Sequence, residues 1–235
     1  MTDAIFPHLP PGTDLSDPRQ LRLSAALPEL PTNEEPPPHC PICGSAPIAP
    51  ENSGMDFPEG TVVYACLGAY APPEPEEQEK PRGWEAVPPC WNVSAERALE
   101  LVGSWCLRHP EWVPVGRLLQ GVSNRPAPKL PESGIGVWLR LRELKAERLP
   151  GSCPICGSGA AHQDDSFTRY ECGALFGLTS RVPDAQGNLV PEQWDGELPC
   201  GKPSLLQLLT VLGKRFPPNS WAADTCRRAL QLVRA

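Results

Sequence analysis

The sequence predicts a small α+β fold made of one four-cysteine unit repeated in tandem. Three observations predict it. Cys40-Pro41-Ile42-Cys43-Gly44-Ser45 recurs letter for letter as Cys153-Pro154-Ile155-Cys156-Gly157-Ser158. Tyr64-Ala65-Cys66 is echoed by Tyr170-Glu171-Cys172, and Pro81, Trp84, Pro89, Cys90, Ser94 and Gly103 return as Pro191, Trp194, Pro199, Cys200, Ser204 and Gly213 at identical spacings. Finally, the chain carries 32 prolines, 20 glycines and only short apolar runs, which suits small cross-linked cores better than one broad sheet. Self-similarity of this kind marks a repeated structural unit. The expected organisation is an N-terminal tail over 1–13, a first unit over 14–124 and a second over 125–235.

Each unit is expected to open with a helix. Asp17 is placed to cap a helix with Pro18 at its first position, running through Arg19–Leu27 to Pro28. In the second unit the stretch 135–149 ends at Pro150-Gly151. Its Val137, Leu141 and Leu144 sit at helical spacing, Leu139 widens the stripe, and Arg140, Arg142, Lys145 and Arg148 fall on the other faces. The Cys-x2-Cys knuckle and a short β element follow.

The copies differ where loops tolerate it. Residues 71–83, acidic and proline-rich, read as a solvated excursion, and residues 179–188 read as a turn-rich loop. The fourth cysteine then precedes a capped helix. The Ser94 and Ser204 hydroxyls can accept from otherwise unpaired N–H groups of the first turn. Ala98, Leu101, Val102 and Trp105 form the apolar stripe of one helix, and Leu205, Leu208, Leu209 and Leu212 that of the other. A last helix starts near Asn219, and residues 123–134 link the units.

The cysteines suggest metal. A Cys-x2-Cys turn puts two sulfurs on one side of a tight loop, with glycine next to allow the backbone geometry. Two further thiolates complete a tetrahedron: Cys40, Cys43, Cys66 and Cys90 in the first unit, Cys153, Cys156, Cys172 and Cys200 in the second. The expected cofactor is two structural zinc ions. The first residues lack the basic and apolar regions of a secretory signal, so a reducing, cytoplasmic setting is expected, which favours thiolate–metal bonds over disulfides. Disulfides, an iron–sulfur cluster and a redox Cys-x2-Cys stay open as alternatives. Cys106 and Cys226 have no counterpart and fall within helices, where a free cysteine packs as a small hydrophobe. His39 and His162 lie close enough in sequence to stand in for a ligand, although four cysteines leave them no vacancy.

The run CPICGS followed by Tyr-x-Cys resembles the zinc-ribbon and zinc-knuckle superclass. More narrowly, CPICGS with YECGA is similar to the small restriction-alleviation (Lar-like) zinc proteins of phages. The resemblance spans the knuckle and the tyrosine strand of each copy. It implies a mobile-element protein that acts on host nucleic-acid machinery. Where that pattern has a second Cys-x2-Cys, Cys66 and Cys172 stand alone here, and the fourth cysteine comes later, before a helix.

Function classes follow from what the sequence contains. A closed four-cysteine site leaves no coordination position for water or substrate, and there is no phosphate loop, nucleophile elbow or zincin motif. The expectation is a non-enzymatic interaction protein with a protein partner. Net charge is −7; residues 1–124 carry seven Lys/Arg against seventeen Asp/Glu, and residues 125–235 carry fourteen against eleven. The acidic half is a poor match for phosphate backbones. The alternative is nucleic-acid binding through the second unit, by Arg140, Arg142, Lys145, Arg148, Lys214, Arg215, Arg227 and Arg228. No stretch is apolar enough to suggest a membrane span.

Overall fold

The computed structural model describes residues 5–31, 34–72, 84–86, 88–121, 135–146 and 148–235. Residues 73–83, most of the predicted excursion together with Pro81 of the repeat, and the linker 123–134 lie outside the described residues. Among the described residues, β1 (Leu21–Ala25), β2 (Pro47–Ile48), β3 (Val62–Tyr64), β4 (Ala69–Ala71) and β5 (Glu85–Ala86) precede α1 (Ala95–Arg108) and α2 (Val113–Gln120). The second half supplies β6 (Val137–Leu141), β7 (Glu143–Lys145), β8 (Ala160–Gln163), β9 (Phe167–Tyr170), β10 (Leu175–Pro183), β11 (Leu189–Leu198), α3 (Leu205–Arg215) and α4 (Trp221–Arg234). The strands form a two-stranded sheet, β1-β6, a four-stranded sheet, β2-β3-β4-β5, and a five-stranded sheet, β7-β11-β10-β9-β8.

The two opening helices are a misreading of period: both segments are strands. In β6, Val137, Leu139 and Leu141 are buried while Trp138 and Arg140 are half-exposed, so the apolar residues alternate with a period of two. Leu139, which the helical reading treats as extra width, is fully buried. In β1, Leu21, Leu23 and Ala25 form the matching row, and Asp17 closes a single turn by accepting from the Arg19 N–H at 2.8 Å. Neither strand completes its hydrogen bonding within its own half. They pair antiparallel with each other, Leu21 opposite Leu141, Leu23 opposite Leu139 and Ala25 opposite Val137. The predicted loop at 179–188 is likewise the end of a long hairpin, in which β10 and β11 are joined by a turn closed by Asp184 N–H to Asn188 O at 2.8 Å.

The capped helices form as expected. Ser94 accepts from the Arg97 N–H and Ser204 from the Gln207 N–H. The Gln207 side chain returns a bond to the Ser204 N–H, completing a capping box. Small residues let the helices approach closely: a Cβ on Gly116 would meet Leu107 at 2.8 Å and one on Gly213 would meet Cys226 at 3.2 Å. α4 starts at Trp221, capped by Ser220. One continuous core runs from Leu21 and Leu23 through Leu99, Leu101 and Val102 to Leu139, Leu208 and Leu209, so the halves pack as one body. The N-terminal segment adds Phe6 and Leu15 to it, and the Arg215 guanidinium donates to Leu15 O at 3.1 Å and to Leu21 O.

Candidate metal centres

Each knuckle is built by two short backbone bonds. Gly44 N–H donates to Cys40 O at 2.8 Å and Cys40 N–H to Ser45 O at 2.9 Å; Gly157 N–H donates to Cys153 O at 2.9 Å and Cys153 N–H to Ser158 O at 2.7 Å. Gly44 and Gly157 sit at φ of +78° and +77°, where a side chain would be strained. The closing serines, Ser45 and Ser158, bring a hydroxyl to 3.0 Å from Cys43 Sγ and 3.3 Å from Cys156 Sγ.

The third cysteine is carried on a tight turn below a buried tyrosine. Tyr64 N–H donates to Gly68 O and Tyr170 N–H to Ala174 O, at 2.9 and 2.8 Å. The tyrosine hydroxyls donate to proline carbonyls, Tyr64 to Pro37 O at 2.7 Å and Tyr170 to Pro150 O at 2.8 Å. Burial holds both phenols neutral by raising their pKa. Each ring meets a second aromatic edge-on, Tyr64 with Tyr70 at 6.3 Å and Tyr170 with Phe176 at 6.2 Å.

The fourth cysteine is fixed from two sides. Cys90 exchanges backbone bonds with Ala25 of β1, and Cys200 exchanges them with Leu139 of β6. The residues that follow, Trp91 and Gly201, donate to Cys66 O at 3.1 Å and Cys172 O at 3.0 Å, tying the fourth ligand to the third. The opening strands are therefore what hold the last ligand of each set.

The result is two groups, Cys40–Cys43–Cys66–Cys90 and Cys153–Cys156–Cys172–Cys200, in each of which all four Sγ atoms lie within 4.8 Å of one another. A tetrahedral ion with metal–sulfur bonds of about 2.3 Å needs sulfurs about 3.8 Å apart, so each group fits one metal ion. None of the ten cysteines is joined in a disulfide. In each group three sulfurs belong to buried residues, and Cys43 or Cys156 is the partly exposed fourth.

The electrostatics of so crowded a set call for a cation. Thiol donors from Cys40 and Cys90 hold Cys66 as a thiolate, its pKa lowered to about 2, and Cys153 and Cys200 do the same for Cys172. A second charge beside the first is resisted: the bond to Cys66 pushes Cys40 up to about 12, and that to Cys172 pushes Cys153 up to about 12. Cys90 and Cys200 are raised further by the same neighbours. Four thiolates share such a space only around a positive ion.

Other expected residues settle elsewhere. His39 is exposed outside the first group. His162 lies 3.4 Å from Asp164 and stacks on Phe167. Cys106 and Cys226 are fully buried, and desolvation pushes both thiols up to about 12. Trp194 is buried, with its indole N–H donating to Ala146 O at 3.2 Å, and Trp84 packs partly buried against the core. The basic residues do not all meet. Arg140 stacks over the Trp91 ring at 4.1 Å and is half-buried, Arg215 is spent on Leu15 and Leu21, and Arg227 pairs with Asp224 at 3.2 Å. Lys145, Arg148, Lys214 and Arg228 are exposed on separate elements, while Arg142 lies near Arg22 and Arg140.

Two contributors have weak sequence signals. Arg97 and Gln207, at the third position of α1 and α3, reach back to the knuckles: Arg97 donates to Pro41 O at 3.2 Å and Gln207 to Ile155 O at 2.5 Å. The Ser-x-x-Gln of the capping box at 204–207 is the one hint the sequence holds for either of them. Among the described residues, no helix is long and apolar enough to cross a membrane. No family model, curated protein or solved structure matches the chain.

Proposed function

We propose that the chain is a tandem duplication of a four-cysteine zinc unit, residues 14–124 and 125–235, and that it is a non-enzymatic scaffold presenting its surfaces to a macromolecular partner. The observation that carries this reading is the pair of closed sulfur tetrads, each with four protein donors and set by the same backbone bonds. Zinc is the divalent ion best suited to four thiolates in a tetrahedron with spacings this wide between the third and fourth ligands. A saturated coordination sphere stabilises a fold and leaves no open position for a reacting group. The resemblance to restriction-alleviation proteins extends the reading to host nucleic-acid machinery as the partner.

Native mass spectrometry of purified protein tests the metal: two zinc ions per chain are expected, and a chain with none, or with iron and inorganic sulfide, ends the reading. Affinity capture with identification of co-purifying proteins tests the partner.

A second reading, nucleic-acid binding, has one specific observation in its favour. Arg22 and Arg140 face each other across β1 and β6 with Arg142 beside them, and none has an ion-pair partner among the described residues. A gel shift that weakens steeply between low and moderate salt would select it.

A further inference from the structure

The two knuckles differ in what covers them. In the second unit the groove between the knuckle and the start of α3 is filled by the chain's own N-terminal segment. The Gln207 side-chain amide donates to Ile5 O at 3.2 Å as well as to Ile155 O, which fastens the segment's backbone to the knuckle. Phe6 is 5 % exposed. His8 lies against the knuckle glycine, where a Cβ on Gly157 would stand 2.9 Å from its Nε2.

In the first unit the corresponding groove is open among the described residues. Ile42, Cys43, Asn92, Ser94, Glu96, Arg97 and Glu100 line a cavity of about 420 Å³. Ile42 and Cys43 hold the places of Ile155 and Cys156, and Arg97, three residues after its cap, holds that of Gln207. A Cβ on Gly44 would meet no described atom within 4 Å, where one on Gly157 meets His8. Among the described residues, no segment occupies the place beside Gly44 and Arg97 that residues 5–8 take beside Gly157 and Gln207.

We infer that the first-unit groove binds a short turn-forming segment of a partner protein, with an apolar side chain in the place of Phe6 and a basic residue beside it. One knuckle-and-helix groove of this molecule already holds a segment of the Ile-Phe-Pro-His type, and that defines the backbone geometry. The differences define the charge. Leu206 and Thr210 of the second unit are replaced by Glu96 and Glu100. Glu100 is neutralised by Arg97 at 2.5 Å, whereas Glu96 is exposed and has no ion-pair partner among the described residues. Arg97 uses one nitrogen on Glu100 and one on Pro41 O, and its remaining N–H groups can serve an incoming carbonyl as Gln207 serves Ile5. The resident segment is folded into a turn, with the Leu9 N–H donating to Phe6 O at 3.3 Å, and the partner segment repeats that turn while Arg97 fixes one of its carbonyls.

This inference rests on the reading of the chain as a partner-binding scaffold. Its test uses the full zinc-loaded chain, isotope-labelled, with two synthetic peptides: residues 5–12, Ile-Phe-Pro-His-Leu-Pro-Pro-Gly, and the same peptide with Leu9→Lys. The Lys peptide is expected to bind about two- to fivefold more tightly than the parent, the worth of one exposed charge pair, with amide shifts at Gly44 and Asn92–Arg97. The variant Glu96→Leu, a change on an exposed helix position, is expected to abolish that preference. Shifts at Gly157 and Gln207 in place of Gly44 would mean that the peptide displaces the resident segment, and would overturn the inference. Absence of binding by both peptides to both proteins would also overturn it. Zinc content and melting temperature of the same samples report on the scaffold, and capture of the same partner by wild type and Glu96→Leu would retain the scaffold reading while rejecting this groove.

Discussion

Around the third cysteine the two units diverge most. Beyond that cysteine the described strands of the first are short, β4 of three residues and β5 of two, whereas the second extends the equivalent strands into β10 and β11, nine and ten residues long. Yet the tyrosine above that cysteine keeps its hydroxyl bond to a proline carbonyl and its edge-on aromatic neighbour in both. Likewise the backbone bond from Trp91 to Cys66 O is repeated from Gly201 to Cys172 O. Contacts that set a sulfur's position recur, while the sheet beyond them varies freely. The cysteine tetrads act as the fixed frame, and sheet size is an attachment to it.

Metal removal breaks that frame and carries the largest expected effect. A structural zinc ion contributes on the order of 10–16 kcal/mol of binding free energy that is also folding free energy, far above the usual 5–15 kcal/mol stability of a whole domain once two ions are involved. A strong chelator should therefore abolish near-ultraviolet dichroism across the molecule. Cys90→Ser and Cys200→Ser should each lose one zinc by native mass spectrometry. Because β1 holds Cys90 and also pairs with β6, which holds Cys200, either variant should lower a single shared melting transition. Two separated transitions in calorimetry would show that the halves fold independently.

The shared sheet is the next largest. Leu139 is fully buried, stands opposite Leu23 and exchanges backbone bonds with Cys200. Leu139→Ala is expected to cost about 2–5 kcal/mol by chemical denaturation, the range for a buried leucine whose cavity cannot fully close. A mutation in the second half should equally expose the first half's Tyr64 and Tyr70 to solvent in the same transition. If only the tyrosine of the second unit responds, the seam between units is weaker than its burial implies.

Those two strands are also where sequence reading reached its limit. The tetrads are legible because four cysteines recur in the same order within matching motifs, and the helices α1 and α3 because a capping serine precedes a helical stripe. Val137, Leu141 and Leu144 fit a helix as well as Val137, Leu139 and Leu141 fit a strand, and local pattern cannot separate the two in so short a run. What decides is pairing between residues more than a hundred positions apart, Leu23 with Leu139, which no local window contains. The lodging of residues 5–8 against Gly157 is another long-range contact of this kind. Its one local trace is the Gln at the third position of α3.

Removing a single repeated bond sharpens the comparison on a finer scale. Tyr64→Phe and Tyr170→Phe each delete one hydroxyl, leaving the carbonyl of Pro37 or Pro150 without its donor. Each is expected to cost about 1 kcal/mol, and the costs should agree to within a few tenths because the bond lengths do, 2.7 and 2.8 Å. Equilibrium denaturation of the two variants side by side reads this directly. A markedly larger cost for one would show that its tyrosine strand bears more of the metal turn's position than the other.

The smallest effect tests a place where the repeated turn holds a left-handed residue of different type. After the third cysteine, the second unit has Gly173 at φ +88°, and the first has Leu67 at φ +65°. The left-handed region costs an ordinary L-residue roughly 1–2 kcal/mol relative to glycine, because Cβ crowds the neighbouring carbonyl oxygen. Leu67 must accept that conformation because its N–H closes the turn onto Tyr64 O at 2.7 Å, as the Gly173 N–H does onto Tyr170 O at 2.8 Å. Its side chain recovers little, since it is absent from the residues packed on the core. Leu67→Gly should therefore raise stability by somewhat less than about 1 kcal/mol, the strain relieved minus the extra freedom glycine gives the unfolded chain. Gly173→Leu should lower stability, with zinc content unchanged in both. A Leu67→Gly variant that is clearly less stable would mean that this leucine makes a contact outweighing its strain, and that the turn of the first unit is not simply the turn of the second with a poorer residue.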